Sequence, residues 1–142
     1  MARSHSKNAI FSIDDSSGTP RLITAHIDNV SGLPGAGQLS EVTAFSDGGE
    51  KFIRGIEGTT FTVSGVFDNT ANTGSITVLN GLRTTETTAS FEYGPEGGSN
   101  GDIKYSGECW LESLTVDSTV KDAVKFSATL RLDGTVTVGT YS

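Results

Sequence analysis

The chain has 142 residues, 35% hydrophobic and 19% charged, with a net charge of −7 and an isoelectric point near 4.6. That length suits one domain with a buried core. The acidic balance and the scatter of the ten Lys and Arg residues argue against direct nucleic-acid binding, which needs a basic stripe to displace counterions.

Glycine is abundant and Ser and Thr are frequent, a composition of strands and turns rather than helices. Cys109 is the single cysteine, so no intrachain disulfide forms. Met1–Ala9 lacks the apolar run of a signal peptide, and no stretch of about 18 apolar residues spans a bilayer. The chain is therefore expected to be made and folded in a cytoplasm.

Residues 1–6 are expected to form a flexible N-terminus. Lys7–Asp15 reads as a first strand, Asp14–Gly18 as a turn, and Pro20–Ser31 as a second strand completing a hairpin. A long loop, residues 31–58, follows. Within it Glu41–Phe45 and Glu50–Ile56 have short strand character. Connections in compact domains usually run about 2–6 residues, and longer ones are commonly functional. Thr59–Asp68 alternates strictly: Phe61, Val63, Gly65 and Phe67 share one face. Gly74–Thr84 is the one helix, with Ile76, Leu79 and Leu82 in a stripe and Asn72 or Thr73 as its cap.

Thr87–Tyr93 is a further strand, and Gly94–Gly101 a loop. Asp102–Asp117 is a long strand whose apolar phase changes. Ile103, Tyr105, Cys109 and Leu111 share one parity; Trp110, Leu114 and Val116 share the other, which marks a bulge or a crossing between sheets. Asp122–Val138 closes the chain, with Asp133-Gly134 as a hairpin-turn signal and Thr135–Gly139 as a short last strand. These elements predict a mainly β fold: one domain over residues 1–142, an antiparallel β-sandwich or part-open β-barrel with one flanking α-helix and a long inter-strand loop.

Motifs of chemistry are missing from the sequence. There is no phosphate loop, dinucleotide fingerprint or zinc spacing, so no catalytic, cofactor-binding or metal residue is assigned and no enzyme is expected. His26 reads as a sheet residue, Cys109 as a buried inert thiol, Trp110 as core, and Asp68–Asn72 as a polar turn before the helix rather than a calcium loop.

The long loop carries a different signal. It holds Leu33, Leu39, Val42, Phe45, Phe52 and Ile56, which a freely solvated linker has no use for, beside the charged Asp47, Glu50, Lys51, Arg54 and Glu57. This pattern points to a segment that packs on its own domain or on a neighbouring copy. Glu108, Glu112 and Asp133 are acidic candidates on the solvent face of the long strands.

Together these elements resemble the major tail tube proteins of long-tailed bacteriophages, over nearly the whole chain. The order of elements carries the resemblance, with the run EKFIRGIEGTTFTVSGVFDNT (residues 50–70), in which a charged, glycine-spaced segment leads into a strand ending in Asp. The resemblance implies a structural virion protein whose copies pair sheet edges into hexameric rings. The rings stack into a tube, a conduit for genome ejection. It implies that the long loop contacts the adjacent ring and that acidic residues, here Glu108, Glu112 and Asp133, line the lumen. It also implies tape-measure and tail-tip proteins as partners, DNA passing without specific binding, no membrane, no cofactor, and assembly in the host bacterial cytoplasm before residence in the virion tail. The alternatives are a tube subunit of a phage-tail-like bacterial injection system and a β-sandwich ligand-binding or adhesion module.

Overall fold

A computed structural model describes residues 8–33, 37–57, 59–121 and 123–141, apart from the side chains of Gln38, Ile56 and Glu57. The expectation of a flexible segment at residues 1–6 lies outside the described residues. The elements are β1 (Ile10–Asp14), β2 (Pro20–Leu22), β3 (Ile27–Ser31), β4 (Gly37–Glu41), β5 (Phe52–Glu57), β6 (Thr60–Val66), α1 (Ser75–Leu82), β7 (Ala89–Gly94), β8 (Ile103–Asp117) and β9 (Lys125–Thr140). Seven strands form one antiparallel sheet in the order β2-β1-β7-β8-β9-β6-β3, and β4 and β5 pair apart from it.

Alternation gives the sheet an inner face. Phe11 and Ile13, Phe61 and Val63, Ala89 and Phe91, and Phe126, Ala128 and Leu130 are all buried and belong to one core. Strands β7 and β6 stand three places apart, which in a flat sheet is about 14 Å. Yet the Phe61 and Phe91 rings lie 4.9 Å apart, and Phe11 reaches Phe61 at 6.3 Å. The sheet is therefore rolled around its aromatic core, a part-open barrel.

The rolling explains a departure from the expected hairpin. Pro20–Ser31 is not one strand. It breaks at a 3-10 turn, Thr24–His26, so that β2 pairs with β1 at one margin while β3 pairs with β6 at the other. At the break the Thr24 hydroxyl donates to the Phe11 carbonyl at 3.2 Å and accepts from the Phe11 N–H at 2.9 Å, while the Ile23 N–H donates to the same carbonyl at 3.2 Å. A side chain thus takes over the ladder position at Phe11 and frees the chain to cross. The crossing runs close over Gly65, where a Cβ would sit 1.9 Å from the His26 carbonyl oxygen.

Helix α1 buries Ile76, Val78, Leu79 and Leu82, as the apolar stripe predicts. Neither Asn72 nor Thr73 caps it. Gly74 holds the N-cap position without a side-chain bond, and Asn72 takes a left-handed φ of 67°. The first turn is tied instead to the end of β6: the Ser75 hydroxyl donates to the Val66 carbonyl at 2.8 Å, and the Ile76 N–H donates to the Asp68 carbonyl at 3.1 Å.

Strands β8 and β9 make a long ribbon with two irregularities. One falls between Leu111 and Ser113, so the predicted phase change is a bulge at Glu112. Leu114 and Val116 then pair with Ala128 and Phe126 on the inner face. Trp110 does not join them: it faces outward beside Arg131 and is 39% exposed, not core. The other irregularity lies where Glu108↔Asp133 gives way to Ser106↔Thr137. The predicted turn at Asp133-Gly134 is this bulge, with Gly134 at φ 90°, and β9 runs unbroken through it.

Candidate assembly surfaces

The β4–β5 hairpin is an arm. Its register sets Leu39 opposite Arg54, Ser40 opposite Ile53 and Glu41 opposite Phe52. Its tip is closed by local bonds: the Val42 N–H to the Lys51 carbonyl (2.8 Å), the Ala44 N–H to an Asp47 carboxylate oxygen (2.7 Å) and the Lys51 N–H to the Thr43 hydroxyl (2.9 Å). The Lys51 ammonium adds an ion pair to Asp47 at 3.0 Å. Leu39 and Ile53 are each 57% exposed, Val42 and Phe52 are exposed, and Phe45 is wholly in solvent. A lone two-stranded hairpin is at best marginally stable in water, and this one presents apolar residues on both faces.

Of the loop residues singled out in the sequence, the arm gathers Leu39, Val42, Phe45, Asp47, Glu50, Lys51, Phe52 and Arg54 outside the core. Leu33 differs: it is half-buried against the domain's own core and anchors the base of the arm. The Ile56 and Glu57 side chains lie outside the described residues.

A second surface comes from the stagger of the ribbon. On one side of β8, strand β7 pairs with Tyr105–Cys109 only, leaving Trp110–Asp117 without a further strand partner among the described residues, while helix α1 packs against β8. On the other side of β9, strand β6 pairs with Lys125–Arg131 only, and beyond the Leu132 N–H, which donates to Thr59, the margin to Thr140 has no strand partner among the described residues. The two open halves lie on opposite margins of one ribbon. The outermost strands are better protected: β2 has three residues with Pro20 at its start, and β3 is broken by a bulge. By contrast Thr135–Val138 carries neither proline nor charge.

A third surface is acidic. Asp14, Glu92 and Glu108 line a shallow depression of about 310 Å³ on the outer face, with Ser12, Ser90 and Ser106. Glu108 accepts the hydroxyls of Thr88 (2.8 Å) and Ser90, and Asp14 accepts the Ser90 N–H at 3.2 Å. Asp133 stands opposite Glu108 in the ladder. Burial pushes the Asp14 carboxyl above the usual range, and the charges of Glu108 and Asp15 add to this. Glu112 is set apart, because the Arg131 guanidinium donates to it at 2.9 and 3.2 Å. Sequence reasoning missed Asp14 and Glu92. Their alternation with Phe11 and Ile13, and with Phe91 and Tyr93, was the available signal.

Cys109 is fully buried, its thiol pushed up to about 12 by burial, and its Sγ donates to the Ala89 carbonyl at 3.5 Å. His26 lies 3.6 Å from Asp68. Among the described residues no group of three or more His, Cys, Asp or Glu is arranged to hold a metal, and no helix is long and apolar enough to cross a membrane.

No family model matches the sequence, and no curated protein matches it. Solved structures do. The tail of an empty gene transfer agent particle, refined with C6 symmetry, matches with a TM-score of 0.77 at 12% identity, covering 97% of this chain and 100% of that one. The chain has the tail-tube fold. The sheath–tube complex of the PVC extracellular contractile injection system, in its extended state, matches with a TM-score of 0.68 at 17% identity, covering 98% of this chain and 93% of that one. The SPP1 tail tube matches at 0.67 and 11% identity, over 97% of this chain and 81% of that one. At these identities the shared feature is the fold, kept over nearly the full length of a tail-tube subunit.

Proposed function

We propose that this chain is a structural subunit of a phage tail tube: copies join side by side into sixfold rings, and the rings stack around a lumen through which DNA leaves the virion. The role is architectural rather than catalytic. The observation that carries the reading is the pair of open strand halves on opposite margins of the β8–β9 ribbon, in a chain that overlays end to end on a subunit of a C6 tail.

Two copies side by side bring Trp110–Asp117 of one against the open half of β9 of the next. Because β8 and β9 are antiparallel within a copy, the new pair is antiparallel as well. On the inner face Leu114 and Val116 then meet Val136 and Val138, the last of which is 63% exposed in the lone subunit. A head-to-tail contact of this kind uses different surfaces on its two sides, so it propagates until the ring closes. Closure satisfies the open backbone groups that a lone subunit leaves to water.

The arm residues Leu39, Val42, Phe45, Phe52 and Arg54 serve the contact between rings in this reading, with Leu33 as anchor. Glu108, Asp133, Asp14 and Glu92 serve as the lumen wall, and Glu112, neutralised by Arg131, contributes less charge there. Repeated around a ring, the acidic row keeps DNA hydrated and mobile instead of adsorbed. A tape-measure and a tail-tip protein complete the set of partners.

Negative-stain electron microscopy of the concentrated protein tests the proposal. Tubes with an axial hole are expected; particles that stay monomeric across salt and concentration count against it.

A further inference from the structure

We propose that Tyr141 is a clasp that holds the free half of β9 in place for pairing with a second copy, an inference that rests on the ring reading above. The free half needs a support. Its residues Thr137–Thr140 pair with Ile103–Ser106 of β8 and have no strand on their other side among the described residues. The bulge at Gly134 separates them from the firmly paired half, Lys125–Arg131. Val136 packs against the core, whereas Val138 is exposed. A segment paired on one side, with little core contact, belongs to the part of a fold that opens first.

Tyr141, directly after β9, supplies that support twice. Its backbone is bonded to the turn before β8: the Tyr141 N–H donates to the Asp102 carbonyl at 2.9 Å, and the Gly101 N–H donates to the Tyr141 carbonyl at 2.8 Å. The turn is itself braced. The Asp102 N–H donates to the Ser99 carbonyl at 3.0 Å, the Ser99 N–H to an Asp102 carboxylate oxygen at 3.0 Å, and the Ile103 N–H to a Glu96 carboxylate oxygen at 3.0 Å. The Tyr141 side chain reaches further. The Lys104 ammonium of β8 lies 5.4 Å from the centre of its ring. Beyond β8 the ring edge takes the space that Gly94 of β7 leaves, where a Cβ would sit 2.9 Å from Tyr141 Cε2. One residue thus straps β9 to β8 and β7, and it is no member of the hydrophobic core. An edge already held straight loses less conformational entropy on meeting a partner strand than a frayed one does.

Tyr141→Ala in the full-length chain tests this, with Tyr141→Phe as the variant that keeps the ring. Tyr141→Ala is expected to raise the protein concentration at which tubes appear by about tenfold, because only a fraction of its free edges is in place for pairing. Its amides at Gly101 and Tyr141 are expected to exchange faster than those of the wild type in dilute protein, with thermal unfolding close to wild type. Tyr141→Phe is expected to assemble as the wild type does. Tyr141→Ala tubes at the wild-type concentration, or amides that exchange at the wild-type rate, overturn the clasp and leave the ring reading standing. So does a thermal midpoint that falls together with assembly, since the ring then serves the whole fold and not the edge, and so does Tyr141→Phe assembling as poorly as Tyr141→Ala. Wild-type protein that forms no tubes across salt and concentration overturns both.

Discussion

Glu108 and Asp133 stand directly opposite one another on the outer face of the β8–β9 ribbon, two like charges in one cross-strand pair. Such a pair is destabilising in a lone subunit, on the order of 0.2–1 kcal/mol. Its persistence fits a surface shaped for something other than the stability of the monomer. Asp133→Asn is expected to raise the midpoint of thermal unfolding at pH 7 by a few degrees, measured by calorimetry. Glu108→Gln is expected to gain less, because Thr88 and Ser90 bond to the Glu108 carboxylate.

Two adjacent carboxylates are expected to respond to acid with opposite signs. Asp15 is held below the usual range by Arg21 first, with Ser17 and Thr19 assisting. Its folded-state pKa is depressed, so its contribution is present above the ordinary carboxylate value and is lost as pH falls below it. Asp14 is raised, mainly by burial, so it opposes folding once pH climbs above that value. Urea midpoints measured between pH 7 and pH 2 check this. Asp15→Asn should lower the midpoint at pH 7 and flatten the acid limb, whereas Asp14→Asn should raise it at pH 7.

Gly65 is the point where β3 crosses close to β6, and its lack of a side chain is required there. Gly65→Ala places a Cβ 1.9 Å from the His26 carbonyl oxygen. The cost should be roughly 2–4 kcal/mol in denaturant titrations, from strand displacement. Gly139→Ala, which meets nothing within 4 Å, serves as the control and should change stability little.

The aromatic core sets the roll of the sheet. Phe61→Ala removes the ring that bridges β6 to β1 and β7. About 3–5 kcal/mol of stability should be lost, read by chemical unfolding.

Strict alternation made much of this fold readable. Thr60–Val66 and Lys125–Leu132 each show a buried face of period two, and α1 shows its stripe, because those patterns are set by local geometry against one core. What stayed hidden depends on partners distant in sequence. Nothing in Pro20–Ser31 tells which margin each half joins; that follows from the roll of the sheet and the Thr24 bonds to Phe11. Asp133-Gly134 has the chemistry of a turn and also of a bulge, and only the continuing ladder to Ile103 decides between them. The apolar residues of the arm were legible as misfits in a loop. The open halves of β8 and β9 were not, since an edge is a property of the whole strand order.

The account depends on those open halves pairing between copies. Amide hydrogen exchange, compared between dilute monomer and assembled protein, measures this most directly. The amides of Trp110–Asp117 and of residues 133–140 that point away from the β8–β9 ladder should exchange quickly in the monomer and become strongly protected on assembly. Tubes in which these amides exchange as fast as in the monomer would contradict the account.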